Sequence, residues 1–191
     1  MAIYNVGSSS NSKINITQDN SNNLYVLGVP TDGDGKTISY NSDIYIDAMN
    51  GVLYGAAWND YAEYRICYDL PEAGRVVCEK GDDTLGLAME RLQPGAYIVS
   101  DTFGMAIGKT NLALTPVTVS GRVLAYTWEN RENFAPGDPV CAAPNGTVSK
   151  MTREEVCEYP DRIIGTVSAV PAYDFWNRTI KVDGRIWIKI K

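Results

Sequence analysis

Two carboxylates, Asp60 and Glu63, lie three positions apart among the aromatic residues Trp58, Tyr61 and Tyr64. Two neighbouring carboxyl groups can do acid and base chemistry when their surroundings separate the two pKa values. Residues three apart on a strand face opposite sides, so the pair can serve one site only if the strand bends or a second subunit contributes. The same alternation prevents the three aromatic rings from all being buried on one face. These residues are therefore too specialised for an ordinary surface strand.

The chain contains no histidine, which removes the commonest general base and the commonest zinc ligand. Most familiar hydrolase chemistry is thereby excluded, and we expect neither a metal nor a cofactor. The cysteines are widely spaced among apolar neighbours, so we predict buried free thiols rather than disulfides. They are Cys67, Cys78, Cys141 and Cys157.

The bulk composition predicts a globular chain of 191 residues, 45% of them hydrophobic, with one ordinary domain and an appendix. Twelve tyrosines and four tryptophans favour surfaces buried between subunits. The net charge is −6 and no basic patch is present, so we expect no nucleic-acid partner. No apolar run approaches the ~20 residues of a membrane helix, and the first residues lack the pattern of a secretory signal. We therefore expect no membrane contact and synthesis in a cytoplasm.

The polar and apolar patterning divides the chain near residue 55. Residues 1–55 are rich in Ser, Asn, Asp and Gly, with short strand-like pieces at 24–27 and 44–46. Such a segment buries too little apolar area to offset its ordering entropy alone. We predict a shaft-like β-rich arm that needs other chains for order, followed by a β-rich domain over residues 56–191.

The second part of the chain alternates short apolar strands with turn sequences, a spacing typical of small barrels and sandwiches. The fold class predicted is all-β with one short helix. That helix spans 152–158, with Thr152 as the N-cap, Glu155 completing a capping box and Pro160 closing it. The predicted strands are 75–78, 85–88, 96–99, 104–107, 116–119, 123–126, 139–142, 163–169 and 185–190.

The last predicted strand places three isoleucines on one face and Trp187, among basic residues, on the other. Alternation of this kind predicts a half-buried strand with Trp187 on the exposed face. There it would form a cation–π ladder with its neighbours or contact another chain.

The segment from Trp58 to Tyr64 resembles a known signature, D-Y-A-E-Y/F. It opens the C-terminal self-cleaving intramolecular chaperone domain of phage tail appendages and tail fibres. Later segments look like the following strands of that domain, and residues 20–55 look like the shaft that precedes it. The later segments are 121–124, 136–140, 163–168 and 184–188.

In members that cut themselves, this resemblance implies a glutamic-type peptidase reaction, and the matching acids here are Asp60 and Glu63. The chain departs from the pattern at Asn59, since no Ser or Thr precedes Asp60. We therefore do not classify the chain as an enzyme, and single-turnover autoproteolysis stays open. In the structural alternative, Trp58, Tyr61, Tyr64 and Arg65 form an interface, with charged neighbours forming ion pairs.

The resemblance implies a structural protein of a phage or prophage virion, made in the cytoplasm of the host bacterium. The expected role is a homotrimeric tail-fibre or appendage component that binds other virion proteins and contacts a host surface glycan or receptor. A self-cleaving chaperone that acts once, and a capsid decoration or head-fibre protein, are the alternatives. An aromatic loop of Tyr173, Phe175 and Trp176 would either stack on sugars or plug the end of the barrel.

Overall fold

The computed structural model describes residues 23–28, 39–47, 52–54, 59–108, 114–177 and 179–191, the first three stretches as backbone only. By its internal contacts the chain divides into two units, Met1–Ala56 and Ala57–Lys191. Trp58 lies outside the described residues.

The first unit contains a three-stranded antiparallel sheet in the order β1-β2-β3. Its strands are β1 Asn23–Gly28, β2 Ser39–Asp47 and β3 Val52–Tyr54. The strand-like pieces recognised in the sequence at 24–27 and 44–46 fall within β1 and β2. That other chains order this arm stays a prediction.

The second unit is built from short strands, as the turn spacing predicts, and the all-β fold class is confirmed. Its strands are β4 Asp60–Cys67, β5 Val76–Glu79, β6 Thr84–Leu87, β7 Ala96–Ile98, β8 Phe103–Ile107, β9 Thr115–Ala125, β10 Pro139–Ala143, β11 Thr147–Lys150, β12 Gly165–Ala169, β13 Phe175–Trp176, β14 Ile180–Lys181 and β15 Ile186–Ile190. Three short 3-10 helices span Arg131–Asn133, Pro144–Gly146 and Pro160–Arg162.

Ten of these strands form one sheet in the order β11-β10-β12-β15-β9-β4-β6-β5-β7, with β8 also paired to β4. An isolated β-bridge joins Val99, just after β7, to Val117 of β9. A second joins Thr127, just after β9, to Val148 of β11. Both end strands of the sheet are thus drawn back towards β9. The sheet therefore curls into a half-barrel. The two remaining strands, β13 and β14, form a separate hairpin.

The sheet encloses one large apolar core and carries two smaller ones. The large core gathers buried residues of β5, β9, β10, β12 and β15, among them Val76, Val123 and Ile188. A second cluster surrounds Leu85 and Val117. The third contains Leu124, Val182 and Trp187.

The single α-helix of the described residues, α1 Arg153–Glu158, confirms the prediction made from its capping box. The hydroxyl of Thr152 accepts the backbone N–H of Glu155, and the Glu155 carboxylate accepts the backbone N–H of Thr152. Arg91 donates to both oxygens of the same carboxylate at 2.9 and 2.7 Å. The cap thus also ties the helix to the chain that follows β6.

The prediction of two separate strands at 116–119 and 123–126 was wrong. The chain runs through Gly121 as one strand, β9, because that glycine takes a φ of +105° in a strand crossing close to β4. The strand β11 and the hairpin β13–β14 were not predicted, since their few apolar residues alternate too briefly to stand out.

The prediction that Trp187 lies on an exposed face was also wrong. Its side chain is 1% exposed, because the hairpin β13–β14 covers the outer face of β15. Trp176 meets the Trp187 ring edge to face at 5.5 Å, and the guanidinium of Arg122 lies 5.1 Å from its centre. The cation over the Trp187 ring is thus Arg122 of β9, rather than a basic residue of the same strand as expected.

All four cysteines are free, and three of them are buried as predicted. Burial raises the pKa of the Cys78 thiol to about 12, so this cysteine stays a neutral, apolar core residue. For Cys157 the prediction of burial was wrong, because it lies on an exposed part of α1.

Candidate functional site

The strand β4, which carries Asp60 and Glu63, has neighbouring strands on both sides. β4 pairs antiparallel with β9 and parallel with β8. Asp60 stands opposite Gly121, where a Cβ atom would lie 2.5 Å from the carbonyl oxygen of Asn59 and 2.7 Å from the Cα of Asp60. Only glycine permits this approach, so Gly121 fixes the start of β4 against β9.

Asp60 is a buried carboxylate held by hydroxyl groups. Its side chain is 6% exposed. Oδ1 accepts the hydroxyl of Thr102 and Oδ2 accepts the hydroxyl of Thr118, both at 2.7 Å. Ser100 extends the network, since its oxygen accepts the backbone N–H of Thr102 at 3.0 Å. We name these four residues the Asp60 site.

Burial raises the pKa of Asp60 above its ordinary value of 3.8. The hydrogen bonds from Thr102, Thr118 and Ser100 act in the opposite direction, and the neighbouring Asp101 adds to the rise. The net shift is upward, because a carboxylate loses more hydration here than three hydroxyls restore.

We expect Asp60→Asn to change how the free energy of unfolding depends on pH. Above pH 3.8 the unfolded chain loses the Asp60 proton before the folded chain does, so the folded state binds more protons and is destabilised as pH rises. The variant lacks this penalty. Its free energy of unfolding, relative to that of the unmodified chain, should therefore increase as the pH rises above 3.8, so that the variant becomes the relatively more stable of the two. Urea unfolding at three pH values measures this.

Thr118→Val provides the matched variant for that experiment. It keeps the side-chain shape and removes one hydrogen bond that lowers the pKa of Asp60, so the pH dependence should become steeper. A difference between Asp60→Asn and the unmodified chain that stays constant with pH would contradict the assignment.

Glu63 does not join the Asp60 site. The irregularities in pairing lie in β8 and β9, which skip Gly104 and Val119, and β4 itself runs without an inserted residue. Asp60 and Glu63 therefore face opposite sides of the sheet. The bend that would bring both acids into one site of this chain is not present.

The remaining members of the predicted interface make contacts within their own unit. Tyr64 meets Phe103 edge to face at 6.0 Å. Arg65 forms ion pairs with Glu79 at 3.3 Å and Asp83 at 3.0 Å, both within the second unit. Tyr61 is half-buried beside Met105 of β8. That these residues form an interface between chains stays a prediction.

Asn59, just before the strand, is bound to β9 by Arg122. Its carbonyl oxygen accepts the backbone N–H of Arg122 at 2.9 Å, and its Oδ1 accepts the guanidinium at 3.1 Å. The Nδ2 group is buried and has no hydrogen-bond partner among residues 59–108, 114–177 and 179–191.

An exposed apolar edge adjoins β4. Within the described part of the chain, β8 pairs with β4 alone, so its second edge has no strand beside it. Met105 is 42% exposed and Ile107 is 49% exposed, and they stand beside Tyr61 and Glu63. We call this surface the β8 edge.

The aromatic loop predicted as a ligand or receptor contact is part of the hairpin β13–β14. Trp176 packs on Trp187, on the outer face of the sheet rather than at the end of the barrel. The Tyr173 hydroxyl accepts the indole N–H of Trp187 at 2.8 Å, and the Phe175 ring is exposed. Two of the three rings therefore remain accessible.

No sequence signal identifies Thr102 and Thr118 as partners of Asp60, because they follow it by 42 and 58 residues. Thr118 does lie within a predicted strand, but pairing between distant strands is set by the fold. In the residues that the structure describes, no group of acidic or cysteine side chains is arranged to hold a metal ion. None of the helices found there is long and apolar enough to span a membrane.

Comparison with family models, with curated proteins and with solved structures found no match for this chain.

Proposed function

We propose that the chain is a structural component of a phage or prophage virion, in a tail fibre or appendage, where three copies associate. The resemblance of residues 58–64 to the appendage signature supports the class of protein. The observation that supports association is the β8 edge, where exposed apolar side chains lie on a strand that, among the described residues, pairs on one side only.

Such an edge is a template for pairing with another chain, and proteins usually blunt it with charge or proline. β8 has neither over Phe103–Ile107, the sequence FGMAI. Burial of Met105 and Ile107 against a different surface of the next copy would remove apolar surface from water, and the β8 edge would gain backbone hydrogen bonds. Three such head-to-tail contacts close a trimer. The other virion proteins and a host surface glycan or receptor are the further partners of this proposal.

Native mass spectrometry of the purified chain tests the proposal. We expect trimers of intact chains, and we expect Ile107→Lys to weaken association by at least about tenfold, because a charge would be buried in the interface. Met89→Lys is the matched control, since Met89 is also an exposed apolar residue, at 60% against 49% for Ile107, but lies outside β8. An intact monomer would contradict the trimer and favour the decoration protein.

The surroundings of the peptide bond between Asn59 and Asp60 favour a second candidate function, a single self-cleavage at this bond during assembly. The Asn59 carbonyl is polarised by the N–H of Arg122, and the adjacent Asp60 carboxyl keeps its proton to higher pH than an exposed one. Since Glu63 faces away, a second carboxylate would have to come from another subunit. Two fragments meeting at residues 59 and 60 in the same mass spectrum, absent in Asp60→Asn, would establish this candidate.

A further inference from the structure

A cleft beside the hairpin β13–β14 combines aromatic rings with charged side chains. Its volume is about 300 Å³, at the lower end of the range for ligand clefts. The residues that shape it are Arg131, Tyr173, Asp174, Phe175, Lys181 and Asp183. We call it the hairpin cleft.

The two aromatic rings that line the cleft are accessible. Tyr173 is 46% exposed and Phe175 is 51% exposed. Tyr173 is oriented by the hydrogen bond that its hydroxyl accepts from Trp187, which is itself buried. Phe175 is positioned by pairing with Lys181 across the hairpin. Exposed rings fixed in this way offer flat apolar surfaces at little entropic cost.

The charged groups around these rings balance one another. Asp174 and Asp183 supply carboxylates, and Arg131 and Lys181 supply cations. Carboxylates accept hydrogen bonds only, whereas guanidinium and ammonium groups donate them. Among the described residues, the cleft thus offers donors and acceptors together with no net charge, which disfavours a strongly anionic or cationic ligand.

The backbone beneath the cleft is held firmly. Arg185, which is almost fully buried, donates to the carbonyl oxygens of Lys181 and Val182 and forms two bonds of 3.0 Å to Asp101. The N–H of Val182 donates to the carbonyl of Asp174 at 2.8 Å. A floor fixed before binding lowers the entropic cost of holding a ligand.

We propose that the hairpin cleft binds a neutral pyranoside, a sugar ring without a charged substituent. A pyranose has an apolar C–H face that packs on Phe175 or Tyr173, and its hydroxyls both donate and accept hydrogen bonds. Asp174, Asp183, Lys181 and Arg131 line the same cleft and supply such acceptors and donors. The inference deepens the host contact proposed above and rests on it for its biological role, while the binding itself belongs to the cleft alone.

Saturation-transfer NMR with the full chain tests the proposal, followed by titration calorimetry. The probes are the methyl glycosides of glucose, galactose, mannose, N-acetylglucosamine and N-acetylgalactosamine, with methyl glucuronide as the anionic comparison. We expect at least one neutral glycoside to bind, and methyl glucuronide to bind more weakly than methyl glucoside. Phe175→Ala should weaken binding about tenfold through loss of the stacking surface.

Two variants complete the design. Asp174→Asn keeps the side-chain size, removes a charged acceptor and should weaken binding about threefold. Tyr68→Ala removes an exposed ring between β4 and β5, outside the cleft, and should leave binding unchanged. Absence of binding by every neutral glycoside, unaltered binding by Phe175→Ala, or stronger binding of the glucuronide would each overturn the proposal. Trimer formation is measured separately, so either proposal can fail without the other.

Discussion

Trp187→Ala should lower the free energy of unfolding of the second unit by about 3 to 5 kcal/mol. The side chain is 1% exposed and fills the space between β9, β15 and the hairpin β13–β14. Its removal leaves a cavity, deprives Trp176 of its edge-to-face partner and leaves the Tyr173 hydroxyl without its donor. Urea unfolding monitored by circular dichroism measures this loss of stability.

Trp128→Ala is the matched control for that experiment. It removes the same type of side chain from an exposed position, and we expect the free energy of unfolding to change by no more than about 0.5 kcal/mol. All chains must be compared at one concentration, because association stabilises the folded state by mass action. Equal losses for the two variants would show that the hairpin does not bury Trp187 in solution.

Gly121→Ala should be comparably severe, costing about 3 to 5 kcal/mol. Glycine here has a φ of +105°, and an added Cβ would collide with the backbone of Asn59 and Asp60. The nearest atoms belong to the backbone and cannot move away as the end of a flexible side chain would, so β4 and β9 would have to separate. The Asp60 site would be disturbed as well, because Thr118 approaches Asp60 from the same strand.

Gly137→Ala separates the two causes of that cost. Gly137 has a similar φ of +93°, but a Cβ there would meet no atom within 4 Å. It therefore carries only the conformational penalty, about 1 to 2 kcal/mol. Thermal and urea unfolding of both variants would reveal the difference, and equal losses would contradict a close contact between β4 and β9.

Much of the fold could be predicted from local sequence signals. The turns between short apolar runs indicated the strands, and Thr152 with Glu155 indicated the helix, because capping and alternation act over a few residues. The buried face of β15 was also correct, since Ile186 and Ile188 lie in the large core.

The Asp60 site and the cover over Trp187 could not be predicted in the same way. Each depends on residues brought together by strand order, such as Thr102 with Asp60 or Trp176 with Trp187. A periodic pattern shows that a strand has two faces, but not what covers the second face. The exposed tryptophan expected from alternation was buried for this reason.

The continuous strand β9 has a consequence for cooperativity. Val117 belongs to the second apolar cluster, Val123 to the large core and Leu124 to the third cluster, so one strand contributes to all three. Segments that unfold separately need boundaries crossed by few buried contacts. Since β9 crosses every such boundary here, we expect the three cores to be gained and lost together, as a single folding unit.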